Sequence, residues 1–327
     1  MPDSFSAVLA QDPAVTTLRR ALEHGRVHHA YRFEGPEGVG KELAAFALAQ
    51  ALVCESESGR GCGACSACRR AVRLTEGDPA VPQHPDVVLL GRGLYPAAAL
   101  GAQTRETSAI GVEQIRRLVT SRVTFPPHEG RAMVFIIRDA HELSQGAANA
   151  LLKTLEEPPQ RVHFVLLTSD PSRLLDTIRS RTLAVRFGPL PDAVVARVLE
   201  QRGLPIETAR AAEGSLATAL SLSDEATRAR RAAFIEGAEA ARVAPSLDRA
   251  LAFAAARPED RDTLRADLLA LAQAEALSAR DLIRTEPDQA ARHAERYEVV
   301  RRAMAALDRN AQPALTIEAM LVGLRAR

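Results

Sequence analysis

The chain has 327 residues, enough for two or three domains of ordinary size. Hydrophobic residues make up 46% of it and charged residues 25%, which excludes a disordered, collagen-like or fibrous protein. The net charge of +1 indicates that any contact with nucleic acid depends on a local patch or on a partner. No stretch approaches the ~18 consecutive apolar residues of a membrane span. The N-terminus lacks the basic start and apolar run of a secretory signal, so we expect a cytoplasmic protein.

From the start to about Phe187, short apolar runs rich in β-branched residues alternate with amphipathic stretches. Strands are predicted at AYRF (30–33), DVVLL (86–90), AMVFII (132–137) and HFVLL (163–167). Helices are predicted over 41–53, 111–122 and 144–156. The third of these helices has Ser144 as its N-cap and Pro158 just past its end. Strands that alternate with helices predict a parallel sheet with helices on both faces.

The strand signal stops after GPLP (188–191). Residues 192–223 are predicted to form a few short helices. From 224 to 327 the chain is almost wholly Ala, Leu, Arg, Glu and Asp at helical spacing, which predicts a helical bundle. The expected fold class is therefore α/β followed by an all-α region.

A glycine-rich loop, GPEGVGKE, connects the first predicted strand to the helix predicted over 41–53. It fits G-x-x-x-x-G-K-[ST] at every fixed position except the last. The candidate ligand-binding residues are Gly35, Gly38, Gly40, Lys41 and Glu42. The glycines would let backbone N–H groups converge on phosphate oxygens, and the lysine would reach the outer phosphates. Glu42 stands where a hydroxyl would bind Mg²⁺, and its carboxylate should also repel a polyphosphate. The alternative is a glycine-rich turn without a ligand.

The strand MVFII is followed by Arg138 and Asp139. Many P-loop ATPases carry here an Asp that orders Mg²⁺ and then a Glu that activates water. A cation thus occupies the metal-holding position, and Asp139 has a shorter reach than Glu. Together with Glu42, this predicts a nucleotide site that does not hydrolyse. If the register is shifted by one residue, Asp139 becomes the metal ligand while the Glu42 departure remains.

All four cysteines lie in one segment with the spacing C-x₇-C-x₂-C-x₂-C: Cys54, Cys62, Cys65 and Cys68. Four thiolates in a short loop suit tetrahedral Zn²⁺, which would be a closed, structural site without a catalytic role. An iron–sulfur cluster is the second candidate, but its common run places a further Cys three residues after the third, and 69–72 contains none. Disulfides are disfavoured without a secretion signal, and free thiols are the last alternative.

Two polar positions follow the predicted helix NALLKTLEEPP, which on spacing alone is an ordinary amphipathic helix. The strand HFVLL ends at Thr168, where a side chain beside the P-loop could contact a γ-phosphate. The segment DTIRSRTLAVRF (176–187) then contains Arg181. In a chain this rich in arginine, Arg181 is a candidate only because of its setting.

Seven strings occur in a specific order: HHAYRFEGPEGVGKE, CGACSACRR, HPDV, IGVEQIRRLV, NALLKTLEEPP, LLTSDP and IRSRT. In this order the chain resembles the bacterial DNA polymerase III clamp-loader subunits of the AAA+ class. The resemblance is dense to about Phe187 and looser from GSLATALSL to NAQPALTIEAMLVGL. It implies an AAA+ P-loop domain (1–188) with a zinc insertion (about 54–80), a helical lid domain (189–223) and a helical collar domain (224–327).

Three departures within this family favour the ATPase-inactive delta-prime type over the ATP-hydrolysing gamma/tau type. In the latter, the P-loop ends in Lys-Thr, the acidic motif is Asp-Glu, and the lid carries Gly-Ser-Leu-Arg. The corresponding positions here are Glu42, Arg138–Asp139 and Ala217. The family's Ser-Arg-Cys string is retained as SRT, and the change of Cys to Thr182 alters the support of Arg181. The chain also lacks the long tail of tau.

The resemblance implies a stator of the DNA polymerase III holoenzyme that does not act as an ATPase alone. Arg181 would serve in trans the ATP site of an adjacent gamma/tau protomer. The expected partners are gamma/tau and delta and, through the assembled complex, the sliding clamp and primed DNA. Zn²⁺ is the expected structural cofactor, while ATP or ADP binding at this chain's own P-loop stays open. An autonomous AAA+ ATPase of the gamma/tau type is the alternative; a zinc-bearing DNA-binding module is disfavoured by the near-neutral charge and sparse aromatics.

Overall fold

The computed structural model describes residues 4–56, 61–101, 109–255, 260–309 and 311–325. Two compact units divide the chain, Met1–Ala219 and Leu220–Arg327. Strands and helices alternate in the first unit, whereas the described residues of the second unit form helices and their connections. The fold class expected from the sequence, α/β followed by all-α, is therefore confirmed. In the described part of the chain, no helix is long and apolar enough to cross a membrane.

Five parallel strands form the sheet of the first unit. They are β1 (Ala30–Glu34), β2 (Val87–Leu90), β3 (Met133–Ile137), β4 (Val162–Thr168) and β5 (Leu183–Arg186), in the spatial order β2-β3-β4-β1-β5. The first four strands are the predicted ones, and they are apolar because helices cover both faces of the sheet. The edge strand β5 was not predicted: of its four residues only Val185 is buried, and its apolar run, LAV, is too short to predict a strand on its own.

The described helices of the first unit connect these strands. They are α1 (Asp12–Glu23), α2 (Lys41–Val53), α3 (Ser66–Val72), α4 (Ala97–Leu100), α5 (Val112–Gln114), α6 (Gln145–Glu156), α7 (Asp176–Arg179), α8 (Asp192–Gln201) and α9 (Thr208–Ala211). A tenth helix, α10 (Leu216–Ser223), spans the boundary between the units. As predicted, Ser144 caps α6: its Oγ accepts a hydrogen bond from the N–H of Ala147 at 3.2 Å.

The helix predicted over 111–122 is shorter than expected. After α5 the chain continues as a π-helical turn, Ile115–Thr120. Ile115 and Val119 are nevertheless buried on one face, as their spacing required. The spacing of apolar residues does not distinguish an α-helical from a π-helical turn over so short a segment.

Two apolar cores lie on the two faces of the sheet. One contains Tyr31 and Phe33 of β1 with Leu48 of α2, and the other contains Phe135 of β3 with Leu151 of α6. Because side chains alternate along a strand, the residues of β1 between and after the two aromatics face the second core. That alternation becomes important below, because these residues are Arg32 and Glu34.

The second unit contains α11 (Glu225–Val243), α12 (Leu247–Ala255), α13 (Arg261–Leu282), α14 (Pro287–Asp308) and α15 (Pro313–Arg325). Asp224 and Asp260 cap α11 and α13 by accepting hydrogen bonds from the N–H groups of Thr227 and Thr263 at 2.8 and 2.9 Å. The apolar faces of these five helices pack into one core around Phe234, Leu268, Val300 and Leu321. The all-α class predicted for the C-terminal region is confirmed for its described residues.

Candidate functional site

The P-loop lies at the carboxyl end of β1, where ligands bind in open parallel sheets. Gly35, Gly38 and Gly40 all have positive φ, at 151°, 71° and 98°. A Cβ on Gly35 would lie 2.2 Å from the carbonyl oxygen of Phe187, so the chain after β5 approaches the loop too closely for any side chain. The sequence therefore places glycine where both the backbone conformation and the neighbouring chain require it.

The loop is also covered by the start of α10, which contains Ala217. A Cβ on Gly38 would lie 2.5 Å from the backbone nitrogen of Ala217, and the N–H of Leu216 donates to the carbonyl of Gly38 at 3.0 Å. Ala217, which stands where the resemblance led us to expect an arginine, is thus directly beside this P-loop. An alanine there supplies no cation.

Lys41 bonds the loop itself. Its Nζ donates to the carbonyl oxygens of Gly35 and Pro36, both at 2.5 Å. Burial lowers the pKa of Lys41, and the charges of Glu37 and Asp139 oppose that lowering. The ammonium group needed for an outer phosphate is present, but in this structure it stabilises the curl of the loop.

Glu42 and Arg138, the two unexpected residues at the predicted metal positions, bind each other. Arg138 Nε donates to Glu42 Oε2 at 2.7 Å, and a terminal nitrogen of Arg138 donates to Oε1 at 2.6 Å. The hydrogen bond to Glu42 raises the pKa of Arg138, against the effect of burial. The carboxylate expected to repel a polyphosphate is therefore neutralised by a cation within the same chain.

Arg138 follows the last residue of β3 directly, as the unshifted register required. Asp139, the predicted water-activating residue, is exposed and has φ 43°, after which a short 3₁₀ turn, Ala140–Glu142, begins. Asp139 therefore lies at the carboxyl edge of the sheet with the P-loop, but it is not part of the Glu42–Arg138 pair.

Thr168 ends β4 and lies opposite Glu34 in the sheet, beside the first glycine of the P-loop. It is fully buried, and its carbonyl accepts a hydrogen bond from the N–H of Gly35 at 3.2 Å. Its hydroxyl hydrogen-bonds with His141 Nδ1 and accepts from the N–H of Asp170, both at 3.1 Å. The side chain is next to the loop as predicted, and its hydroxyl already has partners within the protein.

Arg181 lies at the amino end of the strands, whereas the P-loop lies at their carboxyl end. It precedes β5, which runs parallel to β1 with Tyr31 opposite Leu183 and Glu34 opposite Arg186. The step from Tyr31 to Glu34 along β1 spans three residues, so at about 3.3 Å per residue the amino end of the paired strands lies about 10 Å from the carboxyl end, where the P-loop begins. Arg181 is therefore placed away from this chain's own P-loop.

The side chain of Arg181 is one-third exposed and held by weak partners. One guanidinium nitrogen lies 2.8 Å from Glu156 Oε1, and another donates to the carbonyl of Thr177 at 3.0 Å. An open pocket adjoins it, lined by residues that include His28, His29, Glu156, Ser180 and Arg181. Such a guanidinium can exchange an exposed carboxylate for another anion.

Sequence reasoning missed Arg32, which is buried in β1 and bonds the turn that carries Arg181. The signal was present, because a charged residue inside a buried strand is unusual without a specific partner. It also missed Gln11, whose side chain joins the P-loop to the chain after β5. The amide of Gln11 donates to the carbonyls of Val39 and Gly188 at 3.3 and 2.7 Å and accepts from the N–H of Gly188 at 3.1 Å.

The four cysteines converge at the end of α2 and the start of α3. Their sulfurs all lie within 4.8 Å of one another, and none forms a disulfide. Zn–S bonds of about 2.3 Å would place the sulfurs of a tetrahedral site about 3.8 Å apart, so this donor set fits the ion. Backbone N–H groups of Cys62, Cys65 and Cys68 each donate to the sulfur of the preceding cysteine at 3.4 Å.

The electrostatics of the cysteines favour thiolates at one side of the cluster. Burial alone would raise the pKa of Cys54, but hydrogen bonds from the backbone of Cys62 and from Ser56 lower it to about 6. Backbone donors likewise lower the pKa of Cys62, whereas burial raises that of Cys68. A bound cation would favour the thiolate form of Cys68, because its positive charge would oppose the effect of burial.

The profile of the family described as DNA polymerase III, delta subunit, matches residues 10–191. A DNA polymerase III subunit gamma/tau from Mycobacterium bovis is 37% identical over 235 residues, covering 68% of this chain and 37% of its own length. The tau subunit of Escherichia coli is 38% identical over 242 residues, 69% of this chain and 33% of its own. The chain thus spans about a third of the length of these curated relatives. A solved Thermotoga maritima protein related to the gamma subunit aligns with a TM-score of 0.47 and 17% identity, over 96% of this chain and 99% of its own.

Proposed function

The chain belongs to the family of DNA polymerase III clamp-loader subunits, and we propose that it acts there as a stator of the delta-prime type. It does not hydrolyse ATP itself. It contributes Arg181 to the ATP site of an adjacent gamma/tau-type protomer, while the assembled ring, which includes delta, places the sliding clamp on primed DNA.

The observation that carries the proposal is the pairing of Glu42 with Arg138 at 2.6 and 2.7 Å. A hydrolysing P-loop needs a hydroxyl and a carboxylate at these two positions to hold Mg²⁺ between the phosphates and the protein. Here a divalent cation would have to break a bidentate ion pair and lie next to a guanidinium. Both effects oppose metal binding, which supports a site that does not hydrolyse.

The position of Arg181 supports its role in trans. It lies at the edge of the sheet opposite the P-loop, and its contact with Glu156 is partly exposed, with side-chain exposures of 34% and 48%. Because solvent screens such a pair, a γ-phosphate can displace the carboxylate at little cost. An arginine finger of this kind is worth roughly 10³–10⁵ in rate.

The four cysteines are proposed to hold one structural Zn²⁺. When bound, the ion would link the end of α2 to α3, and its positive charge would partly offset the negative charge of the thiolates. With four protein ligands the site has no open position for a substrate. It stabilises the insertion and takes no part in phosphoryl transfer.

A gamma/tau-type motor is the second candidate, because the similar curated relatives carry gamma/tau names at 37–38% identity. The two candidates differ in one measurable property. A motor turns over ATP with Mg²⁺ as a purified chain, whereas a stator does not.

The test is therefore ATP turnover by the purified chain, followed by turnover of the complex reconstituted with gamma/tau and delta subunits of the same organism. We expect no Mg²⁺-dependent turnover by the chain alone, and faster turnover by the complex with this chain than without it. Appreciable turnover by the chain alone would establish the motor and exclude the stator.

A further inference from the structure

Arg32 is a charged residue in the middle of a buried strand. It lies in β1, whose neighbours on both sides are β4 and β5, and the residue is only 8% exposed. A buried guanidinium is tolerated only when carboxylates or carbonyls satisfy its donors. The partners of Arg32 therefore indicate why the strand carries it.

Those partners join β1 to the turn before β5. Arg32 Nε donates to Glu34 Oε1 at 2.5 Å, which pairs the charge. One terminal nitrogen donates to the carbonyl of Arg179 at 2.9 Å and to Thr182 Oγ1 at 2.7 Å. The hydroxyl of Thr182 then donates to the carbonyl of Ile178 at 2.9 Å. One planar group thus holds both ends of the turn 179–182.

Arg181 lies inside this turn. Its backbone N–H donates to the carbonyl of Ile178 at 3.1 Å, so the main chain is fixed by the same set of contacts. Its side chain, in contrast, bonds only partly exposed groups. The backbone of the finger is rigidly anchored while its guanidinium stays available.

We propose that Arg32 is the positioning residue for Arg181. It sets the backbone from which the finger reaches an adjacent protomer, and Thr182 is the acceptor that makes this possible. The inference rests on the proposed role of Arg181 in trans. It also gives a reason for threonine where the family string has cysteine, because a hydroxyl accepts a hydrogen bond far better than a thiol.

The test uses Thr182→Val, because Arg32→Leu would remove the nearer of the two ion-pair partners of the half-buried Glu34 and could prevent folding. Valine has nearly the shape of threonine and removes the hydroxyl, which is both the acceptor for Arg32 and the donor to the carbonyl of Ile178. The reconstituted complex with gamma/tau and delta is compared for wild type, Thr182→Val, Thr182→Ser, Arg181→Ala and the double variant Thr182→Val/Arg181→Ala. The kcat and the KM for ATP are measured per assembled complex, together with the melting temperature of the free chain.

We expect Thr182→Val to lower kcat about 10- to 100-fold without changing KM, because a displaced catalytic group loses about this much. Thr182→Ser, which keeps the hydroxyl, should stay within about twofold of wild type since it preserves that positioning contact. The double variant should be no slower than Arg181→Ala alone, because a positioning residue acts only through the group it positions.

The outcomes separate the two proposals. If Arg181→Ala is slow and Thr182→Val retains wild-type kcat per complex, positioning by Arg32 is wrong and the finger stands. If Thr182→Val lowers only the melting temperature, or slows the complex further when Arg181 is already absent, the contact is merely structural and the inference also fails. If Arg181→Ala itself turns over at the wild-type rate, the proposed function fails first.

Discussion

The guanidinium of Arg138 binds both carboxylate oxygens of Glu42, across 96 residues of sequence and between the end of β3 and the start of α2. Each residue alone would put an unwanted charge beside the P-loop. Together they cancel, and the hydrogen bond to Glu42 raises the pKa of Arg138 against the effect of burial. Glu42 and Arg138, which both weaken the expected metal site, therefore stabilise the fold by pairing with each other.

A double-mutant cycle on this pair should give a clear coupling energy. We expect Glu42→Ala and Arg138→Ala to be coupled by about 1 kcal/mol in the free energy of unfolding, because the geometry is bidentate while partial exposure screens it. The pair Arg116–Glu113, whose side chains are 63% and 36% exposed, is the matched control and should be coupled by at most about 0.5 kcal/mol. Urea titrations of the four chains of each cycle measure this, and additive effects at Glu42 and Arg138 would contradict it.

Arg181→Ala should lower ATP turnover of the reconstituted complex while leaving assembly and metal content unchanged. At the site it serves, the loss should approach roughly 10³-fold or more. Arg181→Lys should restore little, because an ammonium lacks the planar fork that binds two phosphate oxygens. Arg173→Ala, at an exposed arginine of the neighbouring 3₁₀ turn Pro171–Arg173, is the control and should keep the wild-type rate. Unchanged turnover in Arg181→Ala would exclude the finger.

The strands that the sequence predicted are those in which nearly every residue is buried. The runs MVFII and HFVLL are apolar because both faces of the sheet are covered. The edge strand β5 escaped prediction because three of its four residues are exposed, and its pairing with β1 comes from tertiary context alone. The local pattern of apolar residues therefore predicts a strand that is buried on both faces, but it does not predict one that is only partly buried.

The candidate site shows the same division. The spacing of glycines predicted a strand–loop–helix turn, and the cysteine spacing predicted a cluster whose sulfurs do lie together. The ion pairs and hydrogen bonds between residues distant in sequence could not be predicted, because they depend on which side chains the fold brings together. Glu42 was expected to repel phosphate, yet it is neutralised by Arg138, and Arg32 was assigned to a strand without a partner.

One Zn²⁺ per chain should be found by native mass spectrometry or by a thiol-release zinc assay. Cys68→Ser should lose the ion and lower the melting temperature, because the unfolded chain has no preformed site and metal binding is therefore coupled to folding of the insertion. Ser66→Ala, at an exposed position between two ligands, should keep the ion and serve as the control. Absence of zinc, or a coloured iron-containing protein, would contradict the assignment.

Asp86 should make the stability of the first unit depend on acid pH. Burial alone would raise its pKa, but the backbone N–H groups of Gly130, Glu129 and His128 donate to its carboxylate at 2.7, 2.8 and 2.6 Å and lower it below the ordinary 3.8. A carboxyl whose pKa is lower in the folded chain stabilises it fully above the unfolded pKa, and this contribution is lost as pH falls through the folded pKa.

Asp86→Asn should therefore destabilise the protein by about 1–3 kcal/mol at neutral pH, because the amide nitrogen would face backbone donors that need an acceptor. The difference from wild type should begin to shrink below pH ~4, where the unfolded chain takes up the proton, and should be lost only as pH falls through the lower pKa of the folded carboxyl. Urea unfolding at both pH values measures it, and Asp192→Asn, at an exposed residue at the start of α8, should change stability by less than about 0.5 kcal/mol. A difference that persists undiminished in acid would show that the hydrogen bonds of Asp86 do not depend on its charge.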